Sequence, residues 1–148
     1  MSVFFVADEM LGDVAKWLRI MGNEVRYKRG RPDSSLIELA KSGGILLTAD
    51  ADLHNRATRK GVVSILVTGD TIVDKLVMVF IEAGLRPRLE DTRCTVCGGK
   101  LRIAGKGDGK KTTWYCDDCG KVYWKGSHWK NIARTISSVE RRIARQTK

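Results

Sequence analysis

Four cysteines constrain the last third of this 148-residue chain more than any other feature. They read Cys94-Thr-Val-Cys97, then eighteen residues, then Cys116-Asp-Asp-Cys119. Each C-x-x-C pair aims two thiolates at one point from a tight turn, and Gly98 and Gly120 follow the two turns. Two such knuckles complete a tetrahedron of sulfur and leave no position for water or substrate. The spacing predicts a structural Zn²⁺ site with Cys94, Cys97, Cys116 and Cys119 as ligands. Two disulfides would need an oxidising compartment. The first residues are apolar but reach Asp8 and Glu9 without a basic leader or a small-residue cleavage site, so a reducing, cytoplasmic setting is expected. The apolar runs are too short to span a bilayer, and no membrane association is expected.

Charge divides the chain in two. Residues 1–90 hold 13 Lys and Arg against 12 Asp and Glu, whereas residues 91–148 hold 14 against 5, a net of +9. A basic half of this kind points to a polyanion such as nucleic acid. Lys106, Lys110 and Lys111 fall in a glycine-rich loop between the two knuckles. A final helix is predicted over 128–146, capped by Ser127, with Trp129, Ile132, Ala133, Ile136, Val139 and Ile143 on one face. Lys130, Arg134, Arg141, Arg142 and Arg145 occupy most of the rest. The lysine loop and Lys130, Arg134 and Arg141 are the candidate nucleic-acid contacts. Trp114, Tyr115, Tyr123, Trp124 and Trp129 surround the cysteines in sequence; they can stack on unpaired bases or cover a small core.

The nearly neutral part alternates strand and helix signals. Val3 to Ala7 is a continuous apolar run, as in a strand buried on both faces. A helix follows with Leu11, Val14, Leu18 and Met21 at helical spacing, stopped by Gly22. Further strands are predicted at 25–27, 45–48 and 62–67, and helices from Asp33, over 52–60 and over 71–83. Alternation at this spacing implies right-handed crossovers and a parallel sheet. The expected architecture is an α/β domain over 1–88, followed over 89–148 by a four-cysteine zinc ribbon and a basic terminal helix.

In a parallel sheet every strand ends on the same edge, and the loops that follow line a ligand crevice there. Each of those loops carries an aspartate: Asp8, Asp33, the pair Asp50 and Asp52, and Asp70. With the chain extended past Thr48, Asp50 and Asp52 would point the same way. Clustered carboxylates repel one another, and a hard divalent cation removes the conflict. Mg²⁺ or Mn²⁺ at Asp8, Asp50 and Asp52 would also activate water against a phosphodiester. Aspartate also caps helices, which suits Asp13, Asp33 and Asp70. His54 and His128 read as surface residues, and no Ser, His or Cys nucleophile stands out. Lys16 and Arg19 on the first helix are candidate phosphate contacts or, equally, solvated helix positions.

The segments Asp8-Glu-Met-Leu-Gly-Asp-Val-Ala-Lys-Trp-Leu-Arg-Ile-Met-Gly22, Asp33-Ser-Ser-Leu-Ile-Glu-Leu-Ala40 and Ile45-Leu-Leu-Thr-Ala-Asp-Ala-Asp-Leu53, with the ribbon after them, resemble the Mut-seven C-terminal RNase domain family of PIN-like nucleases. The resemblance implies a PIN-like fold over 1–88 and Mg²⁺- or Mn²⁺-dependent RNA cleavage. Carried over by position, the catalytic acids are Asp8, Asp33, Asp50 and Asp52. Where the family has Thr-Arg-Asp this chain has Thr48-Ala49-Asp50, so one basic side chain is missing. The competing expectation is a non-catalytic RNA- or ribosome-binding adaptor whose carboxylates only cap helices.

Overall fold

A computed structural model describes residues 3–27, 29–105, 113–124 and 128–146. Strand β1 (Phe4–Ala7) leads through a short 3-10 turn into helix α1 (Gly12–Ile20). Then come β2 (Glu24–Arg26), α2 (Asp33–Lys41), β3 (Ile45–Thr48), α3 (Ala51–Arg59), β4 (Val63–Leu66) and α4 (Ile72–Ala83). The four strands form a parallel sheet in the order β2-β1-β3-β4, with Val6 opposite Leu46 and Leu47 opposite Ile65.

The continuous apolar runs of β1 and β3 are explained by burial on both faces. Phe5, Ala7 and Leu47 point to a core shared with Val14, Leu18, Leu76 and Phe80 of α1 and α4. Val6 and Leu46, one residue out of phase, point to a second core with Ile37, Leu53 and Ala57 of α2 and α3. The chain thus forms a layer of helices on each side of one parallel sheet.

Strands β5 (Leu101–Gly105), β6 (Thr113–Cys116) and β7 (Val122–Trp124) make a separate antiparallel sheet. Helix α5 (His128–Gln146) then returns to α4. Its Ile136 and Val139 join the same core as Phe5 and Leu47, so the terminal helix completes the α/β core. Ala133, expected on the apolar face, is exposed. Arg142 is drawn from the expected basic face into an ion pair with Asp74 of α4. That pair holds the Asp74 carboxyl below the usual carboxylate range, helped by the Thr71 hydroxyl and backbone. Ile136→Ala is expected to cost about 2–5 kcal/mol by leaving a cavity under α5. Urea denaturation checks it; a loss below ~1 kcal/mol would show that α5 is loosely seated.

Several helix starts differ from the sequence expectation. Thr71, not Asp70, caps α4, in a reciprocal capping box with Asp74. Asp33 lies inside the first turn of α2, whose cap position is Pro32. Asp13 accepts from the Val14 amide (2.8 Å) within the first turn of α1 and lies 3.5 Å from Lys75 of α4. No helix among the described residues is long and apolar enough to cross a membrane.

Candidate functional site

The strand order places a switch point between β1 and β3: one crossover from this central pair leads to β2 and the other to β4. Open α/β sheets bind ligands outside the strand ends at such a point. Asp8 follows β1 there, and Thr48 ends β3. The Asp8 amide continues the ladder to the Leu47 carbonyl (2.9 Å). The fully buried Thr48 donates its hydroxyl to Asp8 Oδ2 (2.9 Å) and accepts the Asp50 amide (3.0 Å). One hydroxyl therefore ties together the two loops that carry Asp8 and Asp50.

The chain does not stay extended past Thr48, as the alternation of Asp50 and Asp52 would require. Helix α3 begins at Ala51, and Asp50 caps it by accepting from the Asp52 amide (2.9 Å) and the Leu53 amide (3.5 Å). Asp50 and Asp52 therefore take different roles. Asp52 is exposed and lies 3.3 Å from Arg56 Nε one turn along α3, an ion pair without hydrogen-bond alignment. The other arm of Arg56 donates to Asp33 Oδ2 at 2.6 Å. Arg56 thus joins Asp33 to Asp52, much as Thr48 joins Asp8 to Asp50. His54, read as a surface residue, is half-buried, with Nδ1 2.7 Å from the Ser64 hydroxyl on β4.

Among the described residues, the four cysteines are the one group of potential metal ligands whose ligand atoms all lie within 4.8 Å of one another. Cys94 and Cys119 are 3.5 Å apart at sulfur, and Cys97 and Cys116 are 3.4 Å apart. Tetrahedral zinc with Zn–S bonds of ~2.3 Å places its sulfurs ~3.8 Å apart, so the donor set fits such an ion. Each knuckle closes by a glycine amide donating back to a cysteine carbonyl, Gly98 to Cys94 and Gly120 to Cys116, both at 2.9 Å. Both glycines have φ near +80°, where a side chain is strained. Burial opposes ionisation of Cys94, but the Tyr123 hydroxyl and the Cys97 and Val96 amides outweigh it and bring the thiol to about 6. Burial and the neighbouring sulfurs push Cys97 up to about 12, against the Gly99 amide. Close-set sulfurs of this kind are a donor set for a cation, and the site can hold a metal such as zinc.

Arg19 corrects one expectation and supplies a connection that the sequence did not signal. It was a candidate phosphate contact, yet it is only 3% exposed. Its guanidinium donates to Val25 O of β2 (2.8 Å) and to Thr95 O (3.1 Å) and Val96 O (3.4 Å) inside the first cysteine knuckle. Burial lowers its pKa, and the nearby Cys97 and Cys94 oppose that shift. The chain around it is sewn down as well. The Arg93 amide donates to Arg19 O (2.8 Å) and the Thr92 hydroxyl to Ile20 O (2.7 Å), which satisfies carbonyls at the C-terminus of α1. Arg19→Met would strand three carbonyls at this seam and is expected to cost about 3 kcal/mol. A thermal melt of the zinc-loaded protein checks it; an unchanged midpoint would make the seam incidental.

Of the basic candidates, Lys130, Arg134 and Arg141 are exposed on α5, in register at spacings of four and seven. Lys106, Lys110, Lys111 and Ser127 lie outside the described residues, as do the Trp124 ring and the His128 side chain. Thr48 and Arg56 are the residues that sequence reasoning missed. Thr48 offered a weak signal, a polar residue closing an apolar strand. Arg56 offered only its spacing from Asp52.

The chain belongs to the Mut7-C RNAse domain family, whose sequence model matches residues 4–136. That match covers the parallel sheet, the cysteine cluster and the first part of α5. No curated protein and no solved structure matches the chain significantly.

Proposed function

We propose that the protein is a divalent-metal-dependent ribonuclease whose carboxylates at the sheet edge hydrolyse RNA. The observation that carries this reading is the Thr48 hydroxyl, which fixes the loops of Asp8 and Asp50 together at the switch point. In this reading Asp8 and Asp50 hold Mg²⁺ or Mn²⁺ directly. Asp33 and Asp52 bind it through water or orient the attacking water. When bound, the ion supplies an activated water and offsets charge on the phosphate. Thr48 aims the Asp8 carboxylate by donating to it. Arg56, between Asp33 and Asp52, supplies a basic side chain at an edge where Ala49 has none. Zinc in the four-cysteine site is structural. Lys130, Arg134 and Arg141, with Lys106, Lys110 and Lys111, grip the RNA backbone through salt-sensitive phosphate contacts.

The Arg56 ion pairs also give the adaptor reading a specific footing, because an arginine already offsets two of the carboxylates. Purified protein, free of contaminating nuclease, decides between them. The nuclease cuts RNA with Mg²⁺ or Mn²⁺, and the doubly substituted Asp8→Asn, Asp50→Asn protein does not. Equal cleavage by the two proteins, or none by either, would discard the nuclease.

A further inference from the structure

A cleft of about 710 Å³ lies where α1, the cysteine ribbon and α5 meet. That volume falls within the range of small-ligand sites, ~300–1,000 Å³. Four aromatic side chains line it: Trp17 from α1, Trp114 and Tyr123 from the ribbon, and Trp129 from α5. All four are partly exposed. Rings that served only to cover a ribbon core would come from the ribbon itself, whereas two of these come from helices outside it. Trp114 and Trp129 lie nearly parallel, with centroids 5.9 Å apart and planes 12° apart, so they stack on one another and stand as one aromatic unit in the wall. Lys16 and Lys121 also line the cleft.

We propose that this cleft receives an unpaired base of single-stranded RNA, stacked on its aromatic walls. The proposal rests on the reading of RNA as the partner and adds a site distinct from the carboxylate edge. Every base has an apolar flat face, and stacking on aromatic side chains is how single strands are held without base-edge recognition. Charge complementarity selects this occupant over an apolar peptide. The half of the chain that builds most of the cleft carries a net of +9. It favours a polymer over a free nucleotide as well. Starting one position after Trp129 in sequence, the exposed stripe of Lys130, Arg134, Arg141 and Arg145 runs along the outer face of α5, beyond the reach of a single phosphate. Lys16 lies about one helical turn along α1 from Asp13, near the carboxylate end of the sheet. A strand held in the cleft therefore has a short path to that edge.

The test compares a short oligoadenylate with an abasic oligomer of the same length and charge. Each is titrated into zinc-loaded full-length protein without Mg²⁺ or Mn²⁺, so binding is read without cleavage. The base-bearing oligomer is expected to bind roughly 5- to 150-fold more tightly, the size of one base–aromatic stack, and to quench tryptophan fluorescence. Trp17→Ala and Trp129→Ala, on two separate helices, should each bring it toward the abasic affinity while leaving abasic binding unchanged. Zinc content and far-ultraviolet circular dichroism establish that each variant is folded, and quenching of the wild type stands if one is not. Equal affinity of the wild type for the two oligomers, or a preference that survives both substitutions, would overturn the proposal. So would displacement by free AMP as effective as that by the oligomer. A base preference in a protein that cuts no RNA keeps the cleft and removes only the nuclease. Cleavage without a base preference does the reverse.

Discussion

Asp8→Asn should abolish Mn²⁺ binding at the sheet edge and lower metal-dependent RNA cleavage by roughly 10³-fold, because the ion supplies several kcal/mol of transition-state stabilisation. Asparagine keeps the shape of aspartate and still offers Thr48 an acceptor, so the edge itself should survive. Asp50→Asn should act the same way, since asparagine also caps helices well and α3 keeps its start. These two substitutions remove charge and little else. Arg56→Ala should act in the opposite direction. It releases Asp33 and Asp52 from their ion pairs and should tighten Mn²⁺ binding. Calorimetry or paramagnetic broadening on zinc-loaded protein measures all three. An Mn²⁺ affinity in Asp8→Asn equal to the wild type's would leave the carboxylates as caps and ion-pair partners.

Stripping zinc should melt the ribbon and soften the sheet beside it. Small zinc modules draw about 10–16 kcal/mol from their metal, and three short strands have little else to hold them. Cys94 and Cys116 are the buried centre of this unit, and without the ion they become crowded thiols. The damage should spread along the Arg19 seam. Thr95 and Val96 would withdraw their carbonyls, leaving the buried guanidinium on Val25 alone. Losing about 2–3 kcal/mol there would lower the midpoint of the α/β part by roughly 5–10 °C. Near-ultraviolet circular dichroism should also lose the signal of the parallel Trp114 and Trp129 rings. Chelation followed by calorimetry and circular dichroism reads both effects. A zinc-free protein with an unchanged midpoint would show that ribbon and sheet fold independently.

Much of this fold was legible because local signals and topology agreed. The apolar runs at Phe4–Ala7 and Ile45–Thr48 sit in strands buried on both faces, and the cysteine spacing brings four sulfurs together. The strand–helix alternation alone, by implying parallel strands, put the carboxylate loops on one edge. What the sequence hid were contacts between residues far apart in the chain. Asp33 and Arg56 are separated by 23 positions, and nothing local announces their pairing. Arg19 read as a solvated helix residue because helical spacing says nothing about a cysteine knuckle 76 positions away. The extended reading of Asp50 and Asp52 failed for a local reason. Asp50 satisfies two amides at once by capping, and that starts the helix immediately.

The return of α5 to the core changes what kind of object the ribbon is. It follows α4 and precedes α5, and both helices are anchored in the same hydrophobic cluster. The ribbon is an inserted loop with both ends moored, not a pendant on a tether. Mooring both ends removes the swivelling freedom that a single flexible joint would leave. A strand lying across ribbon and sheet would then be measured against a fixed gauge, and the distance from grip to cut would be set by the architecture. A chain ended after residue 88 would lose that gauge together with Ile136 and Val139 from its own interior.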